Sequence, residues 1–261
     1  PHTYAAVLSD GAWKPYNYLV AISHIISTAI GMGGGRIAIS VPPRHGKSVF
    51  ISDWLPTWFI DRWPEKRVIL STYEANFAMS WGRKVRNHFR DDPRTTARLA
   101  EDATSAAYWS TTKGGGMVTA GVGGPITGKG GDLIIVDDPH KNWAEAHSST
   151  AIKMVHEWFD STLYTRLEPG GTIVILHTRW AEDDLIGYTL TEKADDGWYH
   201  IRMPALAEEE SCSVAPVPAS TPRKTTPTPK TISAAPARYA NTSRRGCSDA
   251  SSRIRTRIAG G

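Results

Sequence analysis

The first 210 residues contain no cysteine, because the two cysteines of the chain, Cys212 and Cys247, both lie beyond them. This part of the chain therefore holds neither a disulfide framework nor a cysteine-ligated metal site, and a reducing environment inside a cell fits it. A long apolar run is missing as well. The most apolar stretch, residues 19–41, is interrupted by six polar or charged residues, so the sequence predicts no segment that crosses a membrane.

Acidic residues are almost absent from the last 51 residues, which hold nine Lys and Arg side chains and one acid, Asp249. The first 210 residues carry 21 basic and 25 acidic side chains, so the net charge of +4 comes from the tail and is not evidence for nucleic-acid binding. The tail also lacks Leu, Phe, Trp and Met and contains six prolines, a composition that cannot bury enough apolar surface to fold. We expect one domain over residues 1–210 and a disordered basic tail over residues 211–261. A shifted reading frame and a natural basic linker would both produce this change of composition.

Short apolar segments alternate with segments of helical character through the first 205 residues. Strands are predicted at 36–41, 67–72, 117–122, 132–138, 172–178 and 199–205, and helices at 16–30, 47–60, 76–89, 145–166 and 182–194. Pro56 is expected to kink or end the second helix. Buried strands that alternate with helices are typical of a mainly parallel sheet covered on both faces. The sequence therefore predicts a doubly wound α/β domain.

The segment PPRHGKS, residues 42–48, ends as a phosphate-binding loop ends, between a predicted strand and a predicted helix. Gly46 gives the backbone freedom, Lys47 can contact the β- and γ-phosphates, and the hydroxyl of Ser48 can bind Mg²⁺. The first glycine of G-x-x-x-x-G-K-S/T is missing, so on this motif alone a basic helix N-terminus with a chance G-K-S remains an alternative. The residues that we expect to bind the nucleotide are Pro43, Arg44, His45, Gly46, Lys47, Ser48 and Val49.

Two adjacent carboxylates, Asp137 and Asp138, follow the apolar residues LIIV at the end of a predicted strand. Ligands of open α/β sheets bind at the carboxyl ends of the strands. We expect Asp137 to hold Mg²⁺ and Asp138 to act as the base that orients the attacking water. A lone D-D-P can also be a turn that closes a strand. The G-K-S about 90 residues upstream favours the nucleotide site over this alternative.

A third strand that ends in polar residues is VILHTRW, residues 174–180. Thr178 is predicted to sense the γ-phosphate, and Arg179 is a candidate for stabilising charge, although a capped strand end explains either residue nearly as well. The glycine-rich segment 121–132 and the basic helix around residues 80–92 could approach DNA. A flexible connection and a solvated helix face are the simpler explanations of these two segments.

Four segments, in this order, resemble the ATPase domain of the large terminase subunit of tailed phages and prophages: PPRHGKS, RVILSTYEANFAMSWGRKVRN, GVGGPITGKGGDLIIVDDPHKN and LHTRWAEDDLIGYTL. The resemblance covers roughly residues 13–207. It implies a P-loop NTPase fold of the additional-strand class and a motor that uses ATP to drive double-stranded DNA into a procapsid. By this resemblance Lys47 and Ser48 match the Walker A phosphate and Mg²⁺ positions, Asp137 the Walker B carboxylate and Asp138 the catalytic carboxylate. Thr178 matches the coupling motif, and Arg44 lies in the loop where the family often carries a functional arginine.

The resemblance also implies cofactors, partners and a location. The cofactors would be ATP and Mg²⁺, and the DNA would be contacted through its phosphates without sequence specificity. A portal protein, a small terminase subunit and further copies of the chain in a ring would be the protein partners, and no membrane partner is expected. The expected location is the cytoplasm of the bacterial host and, transiently, the portal vertex of the procapsid.

Two departures from the family qualify these expectations. The family normally continues into a nuclease domain with a cluster of metal-binding acids, whereas the tail holds one carboxylate, so we expect no nuclease activity from this chain. The chain also has no glutamine to read adenine, and Trp13, Pro15 and Tyr16 are candidates for packing on the base instead.

Two alternatives remain open from the sequence. A helicase-class DNA-dependent ATPase would use the same site, but a second motor domain is missing. A truncated remnant that binds nucleotide weakly and does not act as a motor would explain the abrupt change of composition at the tail.

Overall fold

The computed structural model describes residues 1–103, 105–126, 128 and 130–203, and the backbone of residues 230–233. Eight strands of this part of the chain form one sheet. In chain order they are β1 (Gly35–Ser40), β2 (Arg67–Thr72), β3 (Tyr108–Ser110), β4 (Gly116–Gly121), β5 (Gly131–Asp137), β6 (Leu167–His177), β7 (Tyr199–Arg202) and β8 (Lys230–Ser233). Their order across the sheet is β3-β4-β2-β5-β6-β1-β7-β8. β3 runs antiparallel to β4, and the other paired strands are parallel.

Helices cover both faces of the sheet, as the alternating pattern predicts. The α-helices of the described residues are α1 (His2–Leu8), α2 (Asn17–Gly31), α3 (Leu55–Arg62), α4 (Ala75–Asp91), α5 (Trp143–Ala146), α6 (Ser149–Trp158) and α7 (Leu185–Thr191). Two π-helical turns, Val49–Trp54 and Phe159–Leu163, adjoin α3 and α6. The predicted α/β fold with a mainly parallel sheet is confirmed.

Alternate residues of the central strands belong to two separate apolar cores. In β2, Val68 and Leu70 pack in the core that contains α1 to α4, whereas Ile69 packs in the core that contains α6 and α7. Because the side chains of a strand alternate between its two faces, a strand that is apolar on both faces must be covered on both. This explains why the predicted strands are continuous apolar runs and not alternating ones.

β6 lies between β1, which leads into the PPRHGKS segment, and β5, which ends at Asp137. The three strands are parallel, and Ser40 pairs with His177 while Asp137 pairs with Leu176. Their carboxyl ends therefore lie at one edge of the sheet. A strand inserted between these two is the arrangement that the additional-strand class of P-loop fold requires, so the sheet order agrees with the expected class.

The helix predicted from residue 47 to about residue 60 is present, but its hydrogen-bond pattern changes along its length. The backbone is helical from Lys47, passes through the π-helical turn Val49–Trp54 and continues as α3. Pro56 lies in the first turn of α3 and does not end the helix. The backbone is already helical before Pro56, and the missing N–H falls where the hydrogen-bond pattern changes from π-helical to α-helical, so no regular α-helical segment is interrupted.

The π-helical turn carries Asp53, whose side chain is 1% exposed. Its carboxylate lies 2.8 Å from His88 Nε2 and 3.2 Å from Lys84 Nζ, both of which belong to α4. The His88 ring also stacks on Trp54, with 4.5 Å between the ring centroids. A buried carboxylate needs such partners, so this turn is fastened to α4.

Other element boundaries differ from the predicted ones. The helix predicted at 145–166 is divided, because Ser148 caps α6 by accepting a hydrogen bond from Ala151 N, and a π-helical turn follows α6. The helix predicted at 182–194 starts later, at the cap residue Asp184. Neither α1 nor β3 was expected from the sequence.

The tail differs from the expectation at four residues. β8 lies within the segment predicted to be disordered and pairs with β7. The rest of that segment, and the end of the strand predicted at 199–205, lie outside the described residues.

The packing of α4 on β4 generates a stability prediction at Gly82. A Cβ atom there would lie 2.4 Å from the carbonyl oxygen of Ala106 and 2.7 Å from the Thr119 methyl group. We expect Gly82→Ala to lower the free energy of unfolding by about 1–3 kcal/mol, measured by urea denaturation. Gly31→Ala is the matched control, because nothing lies within 4 Å of its added Cβ atom. Equal destabilisation by both variants, or none by Gly82→Ala, would contradict this packing.

Candidate active site

The segment between β1 and the following helix forms a loop at the carboxyl edge of the sheet. Gly46 and Arg44 have φ values of 71° and 62°. Glycine adopts this left-handed conformation freely, whereas a side chain makes it unfavourable, so the strain is at Arg44. The N–H of Phe50 donates to the carbonyl oxygen of Gly46 at 3.2 Å, which begins the helix directly after the loop.

Lys47, at the start of this helix, is 6% exposed. Its Nζ atom lies 2.6 Å from Asp138 Oδ2. The pair joins the loop after β1 to the residue after β5, across the intervening strand β6. Two sequence motifs that are 91 residues apart are therefore in direct contact.

Asp137, the last residue of β5, is 1% exposed and accepts two hydroxyl hydrogen bonds. Ser48 Oγ lies 3.2 Å from its Oδ1 atom, and Ser52 Oγ lies 2.7 Å from its Oδ2 atom. Burial, and then the charge of the adjacent Asp138, raise the pKa of Asp137, and the two hydroxyl hydrogen bonds and Lys47 oppose this only in part. The carboxylate is thus held by hydroxyl groups in a site where its charge is costly.

Asp138 lies just beyond β5 with a left-handed backbone, φ 45°. Its backbone N–H donates to the Leu176 carbonyl oxygen at 2.8 Å. Its Oδ1 atom accepts from the Thr178 N–H at 2.8 Å and lies 3.3 Å from His177 Nδ1. Burial favours the neutral carboxyl, but the hydrogen bond with His177 and the charge of Lys47 outweigh it and lower the pKa of Asp138. Asp138 is therefore a charged group held at both oxygen atoms.

Four of the predicted site residues meet through their side chains: Lys47, Ser48, Asp137 and Asp138. Thr178 joins them through its backbone N–H. Ser48 and Asp137 supply a hydroxyl and a carboxylate 3.2 Å apart, the hard oxygen ligands that Mg²⁺ prefers. In the described ranges no group of three or more His, Cys, Asp and Glu side chains could hold a metal ion by itself.

The remaining loop residues lie around this group. Pro43, Arg44 and His45 are exposed, and Val49 is partly buried against the core that contains α1 to α4. The structure brings none of these four side chains into contact with the two carboxylates among the hydrogen bonds and ion pairs that it describes. The Tyr18 hydroxyl of α2 donates to the His45 carbonyl oxygen, which ties the loop to α2.

Sequence reasoning missed three residues that shape the site. Ser52 lies four residues after Ser48, and this spacing on one helix was the signal that could have found it. His177 lies in the segment VILHTRW directly before Thr178, but the sequence assigned it no role. Tyr18 carries no recognisable signal, because its contact depends on how α2 packs beside the loop.

Two further candidates have other contacts. Arg179 Nε lies 2.7 Å from Asp184 Oδ2, and its guanidinium also donates to the carbonyl oxygens of Ala181 and Glu182. These contacts organise the connection to α7. Trp13, proposed as a base-packing residue, stacks on the core residue Phe50 with 5.4 Å between the centroids.

The segments considered for DNA contact are partly engaged in the fold. In α4, Lys84 pairs with buried Asp53, and Arg90 pairs with Asp91. In the glycine-rich segment, a Cβ atom on Gly121 would lie 2.7 Å from Ala75 N, so this glycine allows the N-terminus of α4 to approach. Lys129 lies outside the described residues.

Comparisons with known proteins find similarity among solved structures but none to a family model or a curated protein. Among solved structures, the chain is similar to the one described as "Crystal structure of the HK97 bacteriophage large terminase", with a TM-score of 0.43 and 13% sequence identity. The match covers 64% of this chain and 35% of that chain, so this chain spans about a third of that protein. The residue assignments therefore rest on the contacts described above.

No helix in the described ranges is long and apolar enough to span a bilayer.

The opposite pKa shifts of the two carboxylates generate a prediction about pH and stability. The pKa of Asp137 is raised to about 6, so its ionisation destabilises the fold as the pH rises from about 4 to 6. We expect Asp137→Asn to gain stability relative to the wild type as the pH rises over this range, and to keep the gain at higher pH. Urea denaturation from pH 3 to pH 8 measures the difference.

Asp138→Asn is the matched comparison and should behave in the opposite way. Because the pKa of Asp138 is lowered, its charge stabilises the fold above about pH 4 and this contribution is lost as the pH falls further. The variant should therefore be less stable than the wild type at neutral pH. The same sign of change in both variants would contradict the described environments.

Proposed function

We propose that residues 1–210 form a P-loop ATPase domain that binds ATP with Mg²⁺ and hydrolyses it by in-line attack of water. The observation that carries the proposal is the meeting of Lys47 and Ser48 with Asp138 and Asp137 at the carboxyl edge of one sheet. A lysine and a hydroxyl at the start of a helix, facing two carboxylates at a strand end, are the groups that phosphoryl transfer requires.

Each residue of this group has a proposed role. Lys47 contacts the β- and γ-phosphates, and loop residues Pro43 to Val49 surround them with help from the N-terminus of the helix. Ser48 and Asp137 hold the metal, and Ser52 keeps Asp137 in place through its 2.7 Å hydrogen bond. Bound Mg²⁺ supplies charge neutralisation at the phosphate oxygens.

Asp138 orients the attacking water and accepts its proton. Lys47 exchanges Asp138 for phosphate as its partner, which leaves Oδ2 of Asp138 available to the water. Oδ1 stays with the Thr178 N–H, so Thr178 links the carboxylate to the end of β6. Arg44, exposed on the loop, is available to the phosphates or to a neighbouring subunit.

We extend the proposal to the motor domain of a terminase large subunit that moves double-stranded DNA into a procapsid. Two observations support this extension: the order of the four sequence segments that resemble the family, and the position of β6 between β1 and β5. The proposed partners are duplex DNA through its phosphates, a portal protein, a small terminase subunit and further copies of the chain in a ring. The proposed location is the bacterial host cytoplasm and, transiently, the portal vertex.

Lys47→Ala tests the ATPase. The variant loses the positive charge that stabilises the transferred phosphoryl group, so kcat should fall by at least about 100-fold. Phosphate release with Mg²⁺ and ATP measures this rate. Lys153→Ala is the control, because Lys153 is an exposed lysine of α6 whose partner is the exposed Glu157. Undiminished turnover in Lys47→Ala would refute the proposed site.

Duplex DNA tests the motor separately. Turnover should rise with duplex DNA of any sequence and with protein concentration, because the partners are phosphates and neighbouring subunits. The stimulation should weaken as salt increases, since phosphate contacts release counterions. ATP hydrolysis that ignores duplex DNA at low salt would argue against a packaging motor and would leave the ATPase assignment intact.

A further inference from the structure

His177 is the last residue of β6, and its side chain is 0% exposed. One ring nitrogen, Nδ1, lies 3.3 Å from Asp138 Oδ1, and the other, Nε2, lies 3.6 Å from Asp184 Oδ2. The second distance is too long for a hydrogen bond, and Nε2 is a buried polar atom without a hydrogen-bond partner among the described residues. The ring therefore stands between two carboxylates, one of which belongs to the proposed catalytic group.

Asp184 is itself fixed in place. It is 0% exposed, its Oδ1 atom accepts from Gly187 N at 3.0 Å, and its Oδ2 atom accepts from Arg179 Nε at 2.7 Å. The first contact caps α7, and the second ties the connection after β6 to the same carboxylate. A rigid group thus lies behind the imidazole, on the side away from Asp138.

Asp138 has few other restraints once Lys47 turns to phosphate. The carboxylate then keeps two contacts, both at Oδ1: the Thr178 N–H and His177 Nδ1. A single hydrogen bond to one oxygen leaves the carboxylate free to rotate about that contact, whereas a second donor from another direction fixes its plane. With its hydrogen on Nδ1, the imidazole of His177 is that second donor.

We propose that His177 is a positioning residue, which holds the plane of the Asp138 carboxylate for water attack. The proposal rests on the proposed ATPase function. His177 touches no reacting atom, so its effect appears in the rate of hydrolysis and not in the binding of nucleotide.

Steady-state ATP hydrolysis by two variants tests this role. His177→Leu removes the donor and keeps an apolar side chain of similar bulk, so kcat should fall by about 10- to 100-fold while KM stays within about threefold. His177→Asn can place an amide N–H near the position of Nδ1 and should recover most of kcat. Unchanged kcat in His177→Leu, or an effect confined to KM, would overturn the proposal.

The control is His200→Leu. His200 is also buried, at 6% exposed, and its Nε2 atom lies 2.8 Å from Ser40 Oγ on β1. This variant loses a buried imidazole from β7 and changes no contact of either carboxylate. It should therefore lose stability and keep kcat within about twofold. An equal fall of kcat in both variants would assign the effect to general destabilisation and overturn the positioning role.

A spectroscopic measurement decides the geometry without using activity. In long-range ¹H–¹⁵N spectra of histidine-labelled protein, the ring signals missing from His177→Asn identify His177, and its Nδ1 should carry a proton. An unprotonated Nδ1 would overturn the proposal whatever the kinetics. Absence of any wild-type hydrolysis would instead refute the proposed function, so the two failures are distinguishable.

Discussion

Burying two adjacent carboxylates is the constraint on which the carboxyl edge of the sheet depends. Removing such charges from water is costly unless cations and hydrogen-bond donors surround them. Lys47 provides the cation for Asp138, and the hydroxyls of Ser48 and Ser52 provide donors for Asp137. These partners come from the helix after β1, so the loop before that helix must lie beside the end of β5. The contacts that compensate for the burial of the two charges also bring the loop after β1 and the two acids together.

β6 separates the two motifs and also connects them. Because it is paired with β1 on one side and β5 on the other, its end reaches the same edge as theirs. Its last residue, His177, and the following residue, Thr178, both form hydrogen-bond contacts with the same oxygen of Asp138, Oδ1. The central strand therefore controls the carboxylate that is proposed to orient water, whereas the outer two strands carry the groups proposed to bind phosphate and metal.

Much of the fold could be predicted because the central strands are continuous apolar runs, as strands buried on both faces must be. The four side chains that meet in the site could be predicted because G-K-S follows one predicted strand and D-D ends another. The roles of Ser52 and His177 could not be predicted, since they depend on a π-helical turn and on the exact end of β6. The division of the helix at 145–166 was missed because capping by Ser148 competes with a helical pattern that would otherwise continue.

Asp53 connects the helix that carries Ser48 and Ser52 to α4. Its buried carboxylate holds Lys84 and His88 of α4, and the His88 ring stacks on Trp54 in the same π-helical turn. An ion pair, a short polar contact and a ring stack thus act together between two elements, which makes the joint stiff in more than one direction. These contacts connect α4 directly to the helix that carries Ser48 and Ser52, so a displacement of α4 would be transmitted to the site without an intervening loop.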